Sequence, residues 1–152
     1  MRLAEALSLR VDSQKRLEQL KQRIAGNAKV QEGDAPAEEP QQLIQEMEAV
    51  SDELLLLIQR INKTNSFTEV ESGKSLSDAL AERDALMLKR GVYSSLAAAA
   101  SLTQTRTSKS EVKFKSTVSV PEIQAKIDGL SKSYRELDSQ IQELNWKTDL
   151  VL

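Results

Sequence analysis

The stretch Leu43-Ile44-Gln45-Glu46-Met47-Glu48-Ala49-Val50-Ser51-Asp52-Glu53-Leu54-Leu55-Leu56-Leu57-Ile58-Gln59-Arg60-Ile61 decides the fold. Leu43, Met47, Val50, Leu54, Leu57 and Ile61 are separated by four, three, four, three and four residues, which puts all six on one helical stripe. Ile44 and Ile58 widen that stripe to the face of a helix with more than one neighbour. At about 100° per residue Leu56 points away from the others. It is either a tolerated exposed leucine or the sign that something covers the back of the helix.

Working outward, Leu3 to Ala25 holds strong helix formers and ends at Gly26-Asn27, a stop signal, so a first helix over 3–25 precedes the central one at about 41–63. Its stripe takes Leu3, Leu7, Leu17, Leu20 and Ile24, but Arg10 and Gln14 fall where apolar groups are expected. With Arg83 further on, they form a candidate polar layer inside the helices, the simpler reading being stems that snorkel at a core edge. Residues 27–41 carry glycine, two prolines and acids without periodicity and read as a loop, with Pro40 suited to the first turn of helix two. Residues 1–25 hold six basic and three acidic side chains and residues 26–57 hold one and eight, so a basic helix meets an acidic one. An antiparallel pair with complementary flanks follows.

Ser75 with Asp78 forms a capping box for a third helix over about 76–102, with apolar contacts from Leu76, Leu80, Met87, Val92 and Leu96. Ala97–Ala100 within it allows close helix approach. Val112, Phe114, Val118 and Val120 share one side of an alternating stretch, and its expected partner is the β-branched segment 67–70, giving a two-stranded ribbon of 67–70 with 112–118. Ser119 and Glu122 cap a fourth helix over about 120–147 with the seam Ile123, Ile127, Leu130, Tyr134, Leu137, Ile141 and Leu144. Its rhythm matches helix two, which suggests that the two pack together. Trp146 lies just beyond the seam, where an amphipathic ring seals a bundle end or an interface.

The expected fold is therefore mainly α, a four-helix bundle or paired long helical hairpins with a small two-stranded β ribbon, in a single domain over residues 1–152. Aromatic residues make up only 3% of the chain, which fits leucine-rich helices better than a sandwich.

The absence of both cysteine and histidine removes disulfides, thiolate catalysis, imidazole triads and the usual zinc ligands. Carboxylate pairs such as Asp78 with Glu82, or Glu136 with Glu143, lack the histidines of a bundle di-iron site and read as surface pairing. No cofactor or metal is expected, and no enzymatic activity. Arg106, Lys109, Lys113 and Lys115, among many hydroxyls, make a candidate anion-binding loop over 103–116. A net charge of −2 and one aromatic in the loop favour a solvated lysine face, so nucleic acid is not the expected partner. No stretch approaches the roughly 18 apolar residues of a membrane span or the core of a signal peptide, so the expected location is the cytoplasm. Leu55, Leu56 and Trp146 are the candidate interface of a homo-oligomer.

Several blocks carry a family resemblance: Leu3-Ala4-Glu5-Ala6-Leu7, Arg16-Leu17-Glu18-Gln19-Leu20, Asn27 to Gly33, Ile61-Asn62-Lys63-Thr64-Asn65, Asp78 to Asp84, Ser110-Glu111-Val112-Lys113-Phe114, Tyr134 to Asp138 and Gln142 to Trp146. Together they resemble small bacterial helical proteins labelled septicolysin. That label implies a pore-forming cytolysin with a membrane partner, and it carries over no catalytic or ligand-binding residue. The leading expectation from the residues themselves is a non-enzymatic, self-associating bacterial protein.

Overall fold

A computed structural model describes residues 1–101 and 112–152. The elements are α1 (Leu3–Gly26), α2 (Pro40–Phe67), β1 (Glu69–Glu71), β2 (Lys74–Ser75), α3 (Leu76–Ala100) and α4 (Val120–Lys147). The fold is mainly α with a small two-stranded sheet. The chain resolves into two compact units, residues 1–69 with 142–152, and residues 70–141.

The first unit is built on an antiparallel hairpin of α1 and α2. Leu20, Leu43 and Val50 form its buried cluster, with Leu17, Ile24 and Met47 packed on it. The expected charge match is realised by Arg16 on Glu46 at 2.6 Å and by Arg23 on Glu38 at 2.5 Å. Arg23 donates to Glu38 through both Nε and Nη2. Those hydrogen bonds hold the Glu38 carboxyl below its ordinary value and raise the Arg23 guanidinium. Asn27 closes the intervening loop on both sides, since its amide nitrogen donates to the Arg23 carbonyl and its amide oxygen accepts from the Glu38 N–H. In that loop Gly33 has φ +89° at the third position of a turn closed by Asp34 N–H on the Gln31 carbonyl, a backbone state that glycine supplies without strain.

Helix α2 runs to Phe67, past the expected end at about residue 63. The hydroxyls of Thr64, Ser66 and Thr68 donate to the carbonyls of Arg60, Asn62 and Thr64, four residues back. Side chains that suggest an extended segment in sequence are thereby satisfied along the helix. The chain end then returns to this unit. Leu150 N–H donates to the Met1 carbonyl and Leu3 N–H to the Thr148 carbonyl, while Arg2 pairs with Asp149. Val151 is held by α2: its N–H donates to Thr64 Oγ1 at 3.1 Å and its carbonyl accepts from Arg60 Nε at 2.8 Å. Leu150 is buried by this return.

In the second unit two side-chain pairs link α3 to α4 in antiparallel order. Arg83 pairs with Asp138 at 2.7 Å, and the Lys126 ammonium lies 5.5 Å from the centre of the Tyr93 ring. Ile123, Ile127, Leu137 and Ile141 of the expected α4 seam are buried. Rhythm alone matches this seam to α2; the side-chain pairs that identify a neighbour for α4 in this unit come from α3. Asp78 N–H donates to Ser75 Oγ, and the Ser75 N–H and hydroxyl both donate to the Asp78 carboxylate and lower its affinity for protons.

The expected ribbon of 67–70 with 112–118 does not form. β1 pairs instead with β2, the next segment in sequence, through the turn Ser72-Gly73 in which Gly73 has φ +79°. A two-residue loop closes with far less entropy loss than a contact across a whole helix. Residues 112–116 have no strand partner among the described residues, and Val112 and Phe114 are exposed, so their alternation faces no core.

Candidate interaction surfaces

Leu55 and Leu56 follow directly from the register of α2. The stripe from Leu43 to Ile61 faces inward, so residues 55 and 56 fall on the opposite side, and Leu56 is 61% exposed. Trp146, near the end of α4 in the first unit, is 65% exposed. Among the described residues these are large apolar groups without an intrachain cover.

The polar residues are placed differently. Arg10 is half-buried but Gln14 is exposed, because the inward face of α1 passes through Ser13 to Leu17 and Leu20. Gln14 therefore does not belong to a buried polar layer. Arg83 is half-buried and has its own partner in Asp138, within the second unit. Of the carboxylates, Glu82 binds Lys74, and this hydrogen bond raises the Lys74 ammonium. Glu143 binds Lys147, one turn on, which lowers its carboxyl. Among the described residues no cluster of acids could hold a metal ion, and each buried side-chain nitrogen or oxygen has a partner. In the basic loop Lys113 and Lys115 are exposed, while Arg106 and Lys109 lie outside the described residues.

The surface missed by the sequence is on α3. Val92, expected in the packing stripe, is 70% exposed, and Leu88 is 74% exposed. From Arg83 onward the half-buried positions are instead Arg83, Leu86, Arg90, Tyr93, Ala97 and Ala100, spaced three, four, three, four and three. Both arginines of the helix thus lie on its covered side, and Leu88 and Val92 on its open side.

A model of a family of unknown function, DUF6847, matches residues 10–150. The chain belongs to DUF6847. A crystal structure of a functionally unknown conserved protein from Corynebacterium diphtheriae is 48% identical, covers 99% of each chain and superposes with a TM-score of 0.94. No curated protein matches the chain. Neither the DUF6847 description nor that of the solved relative names a septicolysin or a cytolysin, so the resemblance gains no support as a toxin. Among the described residues of this DUF6847 member no helix is long and apolar enough to cross a membrane.

Proposed function

We propose that this bacterial chain is a non-enzymatic protein whose role depends on self-association. The observation that carries the proposal is the outward placement of Leu55 and Leu56, with Trp146 as a further exposed anchor. Adjacent large apolar groups on a helix otherwise solvated by Glu48, Asp52 and Gln59 gain from transfer out of water. The chemistry of the charged groups supports a non-catalytic role: among the described residues, each carboxyl or ammonium whose affinity for protons is shifted sits in a surface ion pair or a helix cap. Sedimentation equilibrium and light scattering test the proposal on the whole chain. An oligomer at micromolar concentration is expected, and Leu56→Glu lowers its mass at unchanged helix content. A strict monomer refutes self-association, and dye release from liposomes by the purified chain would replace it with a membrane-active role.

A further inference from the structure

On the open side of α3, Ala81, Ala85, Leu88, Val92, Ser95 and Ala99 recur at spacings of four, three, four, three and four, and all six are exposed. This is a second heptad seam on the same helix, about 28 Å long at 1.5 Å per residue, and it contains no charged residue. Leu96 flanks it on one side and Gly91 on the other. Gly91 stands in the middle of the helix, where glycine is a weak former, and a Cβ added there would meet nothing within 4 Å. Among the described residues nothing therefore requires glycine at this position.

The seam is complementary to itself. In an antiparallel pair each a position faces a d position of the partner. Setting Val92 against a second Leu88 also sets Ala85 against Ser95 and Ala99 against Ala81. The two largest residues meet at the centre and small ones at both ends, so all six positions are used in one twofold register. That register brings the two Gly91 residues together beside the axis, where a missing side chain lets the backbones approach. Its one unfavourable feature is Lys89 near its own copy, a repulsion that long stems and salt relieve.

We infer that the outward seam of α3 is a docking surface for the α3 of a second copy, packed antiparallel about a twofold axis at residue 90. The inference rests on the self-association proposed above and assigns it a contact separate from Leu55 and Leu56. A foreign protein needs no twofold register, and Glu82, Asp84 and Lys89 along the flanks oppose a lipid surface.

Because the chain has no cysteine, single cysteines report the contact cleanly. Under mild oxidation Gly91→Cys should form a covalent dimer. Ala81→Cys and Ala99→Cys should each stay largely uncrosslinked alone and give a dimer when mixed, since antiparallel helices place 81 beside 99. Adding Leu88→Glu to Gly91→Cys should abolish the crosslink, adding Leu56→Glu should leave it, and salt should strengthen it. Circular dichroism on each variant checks that it is folded. If the wild type self-associates but neither the Gly91→Cys dimer nor the mixed dimer appears, the α3 contact is overturned and self-association stands. If Ala81→Cys crosslinks to itself, the helices are parallel and the twofold register is wrong. A monomeric wild type, with no crosslink from any of the cysteine variants, overturns both proposals and leaves the seam to a foreign protein or a lipid.

Discussion

Thr64→Val removes a hydroxyl while keeping the shape of a side chain that is 1% exposed. In the native chain Thr64 Oγ1 donates to the Arg60 carbonyl at 2.7 Å and accepts from Val151 N–H at 3.1 Å. The Arg60 carbonyl still has its helical partner in the variant, so the uncompensated loss falls on Val151 N–H. An unsatisfied buried donor costs about 1–3 kcal/mol. Val151 is only half-buried, so water can replace part of that bond and the low end, about 1 kcal/mol, applies. At this chain length that lowers the melting temperature by about 2–4 °C. Thr64→Ser loses a methyl group, worth about 0.8 kcal/mol, so melting alone does not separate the two variants. Amide hydrogen exchange does, because Thr64→Ser keeps the acceptor for Val151 N–H. In Thr64→Val the Val151 and Leu150 amides should exchange faster, while amides in the Leu20, Leu43 and Val50 cluster change only with overall stability. Unchanged protection at Val151 would refute the idea that this hydroxyl fastens the chain end to α2.

Leu20→Ala empties a fully buried site between α1 and α2 and should cost about 2–5 kcal/mol, a fall of roughly 10 °C in thermal melts; less than about 3 °C contradicts the assigned core. Acid should destabilise the fold in a defined direction. The Glu38, Asp78 and Glu143 carboxyls are all lowered in the native state, so their contributions are complete above the unfolded carboxylate values near about 4 and are lost as pH falls through the lower native ones. Arg23 and Lys74 are raised, so their contributions persist throughout that range and disappear only in strong base. Melting should be flat from about pH 5.5 to 7, and a transition centred near about 6.5, the usual histidine value, would contradict this account of a histidine-free chain. Arg83→Met alone leaves Asp138 partly buried and unpaired, costing about 1 kcal/mol after allowance for solvent screening. Adding Asp138→Leu should recover most of that loss, and a double-mutant cycle without coupling would show that the pair is merely adjacent.

Helix termini were the most legible features because their chemistry is local. Ser75 and Asp78 satisfy one another's backbone groups three residues apart, Pro40 begins α2, and Gly26-Asn27 ends α1. The charge reversal between residues 1–25 and 26–57 also translated into named ion pairs. The ribbon was less legible because alternation specifies a side but no partner. Val112 and Phe114 alternate correctly and still find no core, whereas Ser72-Gly73 is the turn of a local hairpin. The candidate polar layer failed at Gln14 by one residue: on α1 a face drawn through Leu17 and Leu20 can continue to Ser13 or Gln14, and only the packing selects Ser13.

The same ambiguity explains α3 and gives it a physical meaning. Its sequence supports two heptads, one through Leu76, Ala79, Arg83, Leu86, Arg90 and Tyr93, the other through Ala81, Ala85, Leu88 and Val92. Hydrophobicity favours facing Val92 and Leu88 inward, which would have turned Arg83 away from Asp138 and Tyr93 away from Lys126. The opposite choice preserves the ion pair and the cation–π contact, each worth more when partly desolvated than in water. It also leaves two large apolar side chains and a row of small ones in solvent. In the antiparallel pairing inferred above, a second copy would take Leu88 and Val92 out of water, which is the burial that the fold of a single chain gives up on this face.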